Sequence, residues 1–285
     1  MDAREAIEPR LFITSHLLET AGIVHGFTLR AGGVSQGAFA SLNLSAAVGD
    51  EPEAVEENLA RVLNAAGLPP RTRIARAHQV HGDRILASRA STGPRLVEVF
   101  PGSEPQAEPV SGERASQGQP REAADALLSL EAGTAVAVGI ADCVPVLIAA
   151  EDVPAAAAVH SGWRGTRLSV AARGVRALQQ AAGAEPSRML AAIGPCIGRC
   201  CYEVSVELAS LFRGLFGPEA ADDPATASHP HLDLRFCVAS SLRAAGIPDE
   251  RVEQVPGCTS CDAASFFSHR RDRGRTGRQL AFVMA

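Results

Sequence analysis

Three short segments of the sequence carry side chains of the kind that bind metals or act as nucleophiles. They are His78-Gln79-Val80-His81-Gly82, Ala141-Asp142-Cys143-Val144-Pro145 and Val159-His160-Ser161-Gly162-Trp163-Arg164-Gly165. All three lie at the ends of apolar runs, and the last two lie at junctions of predicted strands. Side chains at strand ends meet at a common edge in α/β folds. We therefore expect His81, Cys143 and His160 to lie near one another.

This set of residues is compatible with two chemistries. One Cys and two His are the ligands of a catalytic zinc site that keeps its fourth position open. Alternatively, Cys143 is a nucleophile and His160 its base, because a neighbouring imidazolium lowers the pKa of a thiol. The long, irregular spacing matches no zinc-finger signature. The residues alone leave both chemistries open, beside a non-functional alternative of a buried Cys near two polar His residues.

The elements that must position these side chains follow from the hydrophobic pattern. Short apolar, β-branched runs predict strands at 134–140, 144–149, 155–160 and 189–193. Helical periodicity predicts helices at 53–66, at about 166–182, and at 203–216 and 236–245. Asp50 and Glu53 resemble a capping box for the first helix, and Gly67 ends it. The irregular alternation of strands and helices predicts a layered α/β sandwich with a mixed sheet.

The composition limits the classes of function. The chain has 285 residues, of which 46% are hydrophobic and 21% charged, so it can bury a sizeable core. A net charge of −5 argues against a nucleic-acid partner held by general electrostatics. All 27 basic residues are Arg, which excludes a catalytic or phosphate-binding lysine. We interpret the absence of Lys, together with the abundance of Ala, as a compositional bias.

The distribution of apolar and charged residues along the chain predicts the domain organisation and the cellular location. The most apolar region, 135–159, is interrupted by charged residues and prolines, so we expect no membrane partner. Residues 1–10 contain acidic side chains and lack a signal-peptide core, which predicts a loose N-terminus and a cytoplasmic protein. Residues 102–121, rich in Pro, Gly, Ser and Glu, predict a flexible surface loop within a single domain spanning 1–285. The oligomeric state is not indicated.

The remaining cysteines form two groups in the sequence. Cys258 and Cys261 form a CxxC pair, and Cys196, Cys200 and Cys201 form a second cluster. A four-Cys zinc site or an iron–sulfur cluster is an alternative use of these residues. The separation between the pairs is not that of a compact zinc ribbon, so we expect packing or supporting roles for Cys201 and Cys258.

Eight motifs follow one another in order and cover about residues 23–284. They are HGFTLRAGGVSQGAFASLNL, VGDEPEAVEEN, HQVHGDRI, ADALL, ADCVPVLI, AAVHSGWRGT, AAIGPCIGRCCYEV and FFSHRRDRGRTGRQ. Together they resemble the family once labelled polyphenol oxidase or laccase domain, which is now described as purine nucleoside phosphorylase and as a peptidoglycan editing factor. Eight motifs in register are far more specific than any one of them.

The resemblance implies a fold, a metal site and a set of activities. The fold is a single layered α/β domain, similar to that of a deamidating bacterial toxin with a Cys-His pair. Family members bind zinc through residues that correspond to His81, Cys143 and His160. They are described as cleaving adenosine, guanosine, inosine and methylthioadenosine with phosphate, and as deaminating adenosine. The implied partners of this chain are therefore purine nucleosides and inorganic phosphate.

Several residues suit that chemistry. A zinc ion lowers the pKa of bound water to about 7. Asp142, beside the ligand Cys143, is a candidate for proton transfer in catalysis together with Cys143 and His160, and Asp125 is a candidate for proton transfer or for orienting a ligand. Asp142 could equally only accept backbone hydrogen bonds.

Phosphate binding needs guanidinium groups, because the chain has no Lys. Arg30 is the first candidate, followed by Arg164 and the pair Arg270 and Arg271, although an Arg beside a Gly-Gly turn is commonly only solvated. For ribose or base the candidates are the side chains of two further residues, Asn43 and Gln79.

Two other enzyme classes and a non-catalytic metabolite-binding role remain as alternatives. A Cys-His hydrolase or amidase that edits peptidoglycan precursors would use Cys143 as its nucleophile. A copper-dependent polyphenol oxidase would need many His residues in HxH pairs, whereas this chain has eight His and a single HxH at 229–231. Copper remains a substitute for zinc at the Cys/His/His set, because it binds such ligands more tightly.

Overall fold

The structure is a computed structural model that describes residues 10–69, 72–88, 96–100 and 122–285. The surface loop predicted at 102–121 lies outside the described residues, as does almost all of the N-terminus predicted to be loose at 1–10.

The described residues form two mixed sheets. In chain order the strands are β1 (Phe12–Ile13), β2 (His25–Thr28), β3 (Ile74–Ala75), β4 (Ile85–Ser88), β5 (Leu96–Phe100), β6 (Ala126–Ser129), β7 (Ala135–Ile140), β8 (Val144–Ala150), β9 (Ala156–Ser161), β10 (Met189–Ile193), β11 (Val252–Gln254) and β12 (Gln279–Met284). One sheet has the order β1-β2-β12-β7-β3, and the other has the order β11-β10-β8-β9-β6-β4-β5. The four strands predicted from apolar runs are all present within one residue at each end.

The helices lie mainly on the outer faces of the sheets. They are α1 (His16–Thr20), α2 (Pro52–Ala65), α3 (Trp163–Arg167), α4 (Val170–Ala182), α5 (Val206–Phe216) and α6 (Leu234–Ala244). The prediction of one continuous helix over 166–182 was wrong. Ser169 has a φ of 57°, which interrupts the helical backbone and separates α3 from α4. This break leaves α3 as one short turn directly after the strand that carries His160.

The start of α2 also differs from the prediction. Its N-cap residue is Glu51, and no side chain caps it. The Asp50 carboxylate instead accepts hydrogen bonds from the Asn43 amide at 2.8 Å and from the Glu51 N–H at 3.0 Å. Asp50 is therefore used to hold the preceding loop rather than to close a capping box with Glu53.

Alternation along the strands explains how the layers pack. In β8, Val146 and Ile148 face the helices α4 and α6, whereas Leu147 and Ala149 face the five-stranded sheet. A strand with two buried faces needs apolar residues at every position, which is why β8 reads as a continuous apolar run. Leu147 is fully buried between the sheets.

The other face of the five-stranded sheet is covered by α2. Leu280 and Phe282 of β12 pack there against Val62 of the helix and against Leu42 and Leu44 of the loop before it. The described residues thus form four layers: helices, the seven-stranded sheet, the five-stranded sheet and α2. This arrangement confirms the predicted layered α/β class with mixed sheets.

Two connections cross from the five-stranded sheet to the seven-stranded sheet. One joins β3 to β4 and carries His81, and the other joins β7 to β8 and carries Cys143. The end of β9, at His160, lies beside the start of β8 because Pro145 pairs with His160 in the antiparallel register. The candidate site therefore lies where the chain passes between the sheets. Among the residues that the structure describes, no helix has the length and apolar character needed to cross a membrane.

Candidate functional site

The structure brings His81, Cys143 and His160 together. One side-chain ligand atom from each lies within 4.8 Å of the other two. The imidazole rings of His81 and His160 meet edge to face, with centroids 4.9 Å apart. Three ligand atoms at this separation can share one metal ion.

Asp125 organises this trio. Its Oδ1 accepts hydrogen bonds from His160 Nδ1 at 2.8 Å and from the His81 N–H at 3.0 Å. Its Oδ2 accepts from the N–H groups of Val80 at 3.2 Å and of Gly82 at 2.6 Å. Because a carboxylate requires the proton on the nitrogen that faces it, Nε2 of His160 is the nitrogen free to act as a ligand. The fully buried Asp125 thus fixes both the loop that carries His81 and the tautomer of His160.

Two observations show that the trio fits a metal ion. The buried Nδ1 of His81 has no hydrogen-bond partner among the described residues. A buried polar atom without a partner is costly unless a water or an ion satisfies it. In addition, a Cβ at Gly162 would lie 3.0 Å from both Cys143 Sγ and His81 Cδ2. Glycine at this position leaves room beside the ligands.

The electrostatics of the trio favour a charged thiolate. Burial opposes ionisation of Cys143, but the charge of His160 and hydrogen bonds from both His residues lower the pKa of Cys143 to about 6. Burial likewise opposes the charged form of His160, yet Cys143 and Asp125 raise the pKa of His160 to about 10. Without a metal, Cys143 and His160 therefore form a thiolate–imidazolium pair at neutral pH.

Asp142 is held in place by both of its carboxylate oxygens. Oδ1 accepts from the Thr259 hydroxyl at 2.6 Å, and Oδ2 accepts from the Arg270 N–H at 2.7 Å. Its backbone has a φ of 95°, and its carbonyl accepts from the Ile197 N–H at 2.9 Å. These contacts fix the loop that presents Cys143, so they favour a positioning role for Asp142 over the alternative of proton transfer.

Two arginines and one tyrosine lie near the trio. The Arg164 guanidinium lies over the Trp163 ring at 4.7 Å, and that of Arg270 lies over the Tyr202 ring at 5.2 Å. Burial and the nearby charge of Cys143 raise the pKa of the Tyr202 hydroxyl, while Arg270 and Arg164 oppose this shift. Sequence reasoning missed Tyr202, although it is the single Tyr of the chain and follows two cysteines in a family motif.

A cationic cavity of about 570 Å³ adjoins these residues. It is lined by His269, Arg270, Arg273, Gly274 and Arg275. Burial and the charge of a neighbouring arginine lower the pKa of His269, so this ring is neutral at pH 7. The bond from the Arg270 N–H to Asp142 joins this cavity to the loop that carries Cys143. A cavity with several guanidinium groups suits a phosphate.

Hydrogen bonds within the protein hold the Arg30 side chain in place. Its Nε donates to the carbonyl of Ala40 at 2.8 Å and its Nη1 to that of Ala263 at 3.2 Å. The guanidinium also lies 5.0 Å above the Phe267 ring. These contacts tie two loops together, and the side chain has less capacity for phosphate than the sequence suggested.

The two candidates for ribose or base binding are likewise engaged. Asn43 is fully buried, and its amide donates to Asp50 and accepts from the Arg278 N–H at 2.8 Å. The Gln79 side chain pairs with Gly139 of β7 as a neighbouring backbone would, donating at 2.8 Å and accepting at 2.7 Å. The polar atoms of both side chains are thus occupied by protein partners.

Comparison with known proteins agrees with the motifs. A family profile described as multi-copper polyphenol oxidoreductase laccase matches residues 24–285. The purine nucleoside phosphorylase YlmD of Geobacillus stearothermophilus is 36% identical over 92% of this chain and 90% of its own length. A purine nucleoside phosphorylase of Streptomyces coelicolor is 36% identical over 92% of this chain and 95% of its own length.

Solved structures show the same fold. The crystal structure of YlmD from Geobacillus stearothermophilus superposes with a TM-score of 0.79 at 33% identity, covering 97% of this chain and 99% of that one. The Bacillus licheniformis protein YfiH gives a TM-score of 0.78 at 31% identity, covering 93% and 94%. The motifs, the fold and these matches agree along nearly the whole chain, which therefore belongs to the multi-copper polyphenol oxidoreductase laccase family, together with YlmD and YfiH.

Proposed function

We propose that this protein is a zinc-dependent purine nucleoside phosphorylase that also deaminates adenosine. The observation that carries the proposal is the trio of His81, Cys143 and His160, held by Asp125 beside a cavity lined with arginines. The relatives that span the whole chain are named purine nucleoside phosphorylases, which supports the reaction class. We propose adenosine, guanosine, inosine and methylthioadenosine as substrates, with phosphate as the second substrate.

In phosphorolysis an oxygen of phosphate bonds to the anomeric carbon of ribose, and the bond from that carbon to the purine nitrogen breaks. We assign phosphate binding to Arg270, which lines the arginine-rich cavity, and to Arg164, whose guanidinium lies over Trp163. The Tyr202 hydroxyl keeps its proton at neutral pH because its pKa is raised, so it can donate a hydrogen bond to the substrate. His81, Cys143 and His160 would hold the zinc ion, which would supply Lewis acidity when bound.

Deamination of adenosine requires water to attack C6 of the purine and ammonia to leave. We assign Asp125 the task of holding His160 in one tautomer, and Asp142 the task of fixing the loop of Cys143. Both carboxylates are then positioning residues. Because Cys143 must stay reduced to act as a ligand, we propose that the protein works in the cytoplasm.

A second candidate function rests on a specific observation. Cys143, His160 and Asp125 form a nucleophile, a base and an orienting carboxylate, and the pKa of Cys143 is about 6. A Cys-His hydrolase would use this arrangement without metal. The copper-oxidase alternative has less support, because the described residues hold one metal-ligand group that contains His.

Product analysis with zinc-loaded protein tests these proposals. Adenosine is incubated with and without phosphate, and Cys143→Ser is the control. Adenine and ribose 1-phosphate that form only with phosphate establish phosphorolysis, and inosine in both reactions establishes deamination. Absence of both products from metal-loaded protein would refute the proposal. Labelling of Cys143 by an alkylating reagent, blocked by a peptidoglycan precursor but not by zinc, would then favour the hydrolase.

A further inference from the structure

Four cysteine thiols outside the trio converge from two segments. Cys200 and Cys201 lie in the turn after β10, and Cys258 and Cys261 lie in the turn after β11. Because β10 and β11 are parallel neighbours, the segments that follow them leave the same edge of the sheet. All four sulfurs lie within 4.8 Å of one another. The structure thus brings together residues whose spacing in the sequence had argued against a shared site.

The separations suit a single ion with four thiolate ligands. Zn–S bonds of about 2.3 Å in a tetrahedron place the sulfurs about 3.8 Å apart. In the structure the sulfurs of Cys200 and Cys258 are 3.7 Å apart, those of Cys200 and Cys261 are 3.5 Å apart, and those of Cys201 and Cys261 are 3.2 Å apart. The four are free thiols, too close together to enclose a cluster of several irons.

Backbone N–H groups are positioned to stabilise thiolate sulfurs. The Gly198 N–H donates to Cys258 Sγ at 3.2 Å, and the N–H groups of Ser260 and Cys261 also act on this thiol. A Cβ at Gly198 would lie 3.1 Å from Cys200 Sγ and 3.4 Å from Cys258 Sγ. Glycine therefore lets the backbone approach both sulfurs. Hydrogen bonds of this kind orient metal ligands and offset their charge.

The loop between Cys258 and Cys261 is held by contacts of its own. Arg271 Nη1 donates to the carbonyls of Thr259 at 2.7 Å and Ser260 at 3.5 Å. The Thr259 N–H donates to the Cys196 carbonyl at 3.0 Å. These bonds place the two thiols of the loop before any ion binds, which lowers the entropy cost of assembling the ligands.

We propose that Cys200, Cys201, Cys258 and Cys261 bind one zinc ion through four thiolates, at a site separate from the trio. The thiols release their protons to solvent as the ion binds. A soft, tetrahedral sulfur set favours zinc over hard divalent ions such as magnesium and calcium. Four protein ligands leave no open position for substrate, so the ion has a structural role.

Two residues adjacent to these cysteines connect the proposed zinc site to the candidate active site. Tyr202 directly follows Cys201, and Thr259 directly follows Cys258. The Thr259 hydroxyl donates to Asp142, the residue before Cys143. An ion that joins these two turns therefore fixes the backbone that orients Asp142 and Tyr202.

Metal analysis of the reduced, full-length protein tests the site. After dialysis against a weak chelator, we expect two zinc equivalents in the unchanged protein and one in either Cys143→Ala or Cys261→Ser. Cys261 is exposed, so serine there buries no new hydroxyl. Cys237→Ala is the matched control, because Cys237 lies in α6 outside both groups, and it should retain two equivalents.

Spectroscopy of Cys143→Ala keeps the test independent of whether Cys261→Ser folds. The zinc that remains should show four sulfur neighbours at about 2.3 Å by X-ray absorption. Cobalt in its place should show strong sulfur-to-metal charge transfer. Nitrogen neighbours, loss of all zinc from Cys143→Ala, or disulfides among the four thiols under reducing conditions would overturn the proposal. None of these measurements uses nucleoside turnover. They therefore test the four-cysteine zinc site independently of the proposed enzyme activity.

Discussion

Replacing Asp125 by Asn should weaken metal binding at the trio while keeping the shape of the side chain. Each oxygen of the carboxylate accepts from two donors: Oδ1 from His81 and His160, and Oδ2 from Val80 and Gly82. An amide has one NH₂ group, so either orientation turns a donor toward existing donors. The least costly relief is for His160 to move its proton to Nε2, which removes the lone pair that would bind the ion.

The size of the effect follows from these contacts. A hydrogen bond to a charged group contributes about 1.5–3 kcal/mol, and a neutral one about 1 kcal/mol. Replacing the charged bond to His160 by a neutral one therefore costs about 0.5–2 kcal/mol, which is roughly a twofold to thirtyfold loss of affinity. The upper part of this range overlaps the loss of about tenfold to hundredfold found when partners of metal-binding histidines are changed.

The assay is a zinc titration in competition with a chromophoric chelator. Glu253→Gln is the matched control, because this carboxylate also accepts backbone N–H bonds, from His16 and Leu17, far from the trio in the chain. The control should lower stability without changing zinc affinity. Unchanged zinc affinity in folded Asp125→Asn would refute the argument that this carboxylate sets the tautomer of His160.

Four further results are expected. In metal-free protein, alkylation of Cys143 should rise with pH to half its maximum near pH 6, because the thiolate forms as pH passes the pKa; a midpoint near 8.5 would contradict the pairing with imidazolium. Gly162→Ala should reduce zinc content in a folded protein, since the added Cβ would meet two ligands at 3.0 Å; full zinc content would show that the ligands can move aside. Arg270→Gln should raise the KM for phosphate about tenfold or more, whereas an unchanged KM would remove Arg270 from phosphate binding. Leu147→Ala should lower the free energy of unfolding in urea by about 2–5 kcal/mol, and a loss below 1 kcal/mol would contradict its burial between the sheets.

Features that depend on residues close together in the sequence could be predicted. Strands such as β8 have two buried faces, so their apolar runs stand out in the sequence. The helix break at Ser169 was missed because nothing in its neighbours signals a positive φ. The trio was predictable because Cys and His are rare residue types placed at the ends of apolar runs.

Long-range contacts could not be read in the same way. The hydroxyl that engages Asp142 lies 117 residues away, at Thr259. The burial of Asn43 and the backbone-like pairing of Gln79 with Gly139 also depend on tertiary neighbours. The convergence of Cys200 and its partners requires the parallel pairing of β10 with β11, which no spacing rule reveals.

The side chains packed between the two sheets affect which substitutions this protein tolerates. Small side chains fill much of the gap between the sheets, among them Ala149, Ala156 and Ala158. Since the connections that carry His81 and Cys143 both cross this gap, its width helps to set the distance between the ligands. A bulkier residue at Ala158 would push the sheets apart and change metal affinity even if the protein remained stable. The alanines between the sheets therefore help to determine the metal affinity of the site, although the abundance of Ala in the chain reflects a compositional bias.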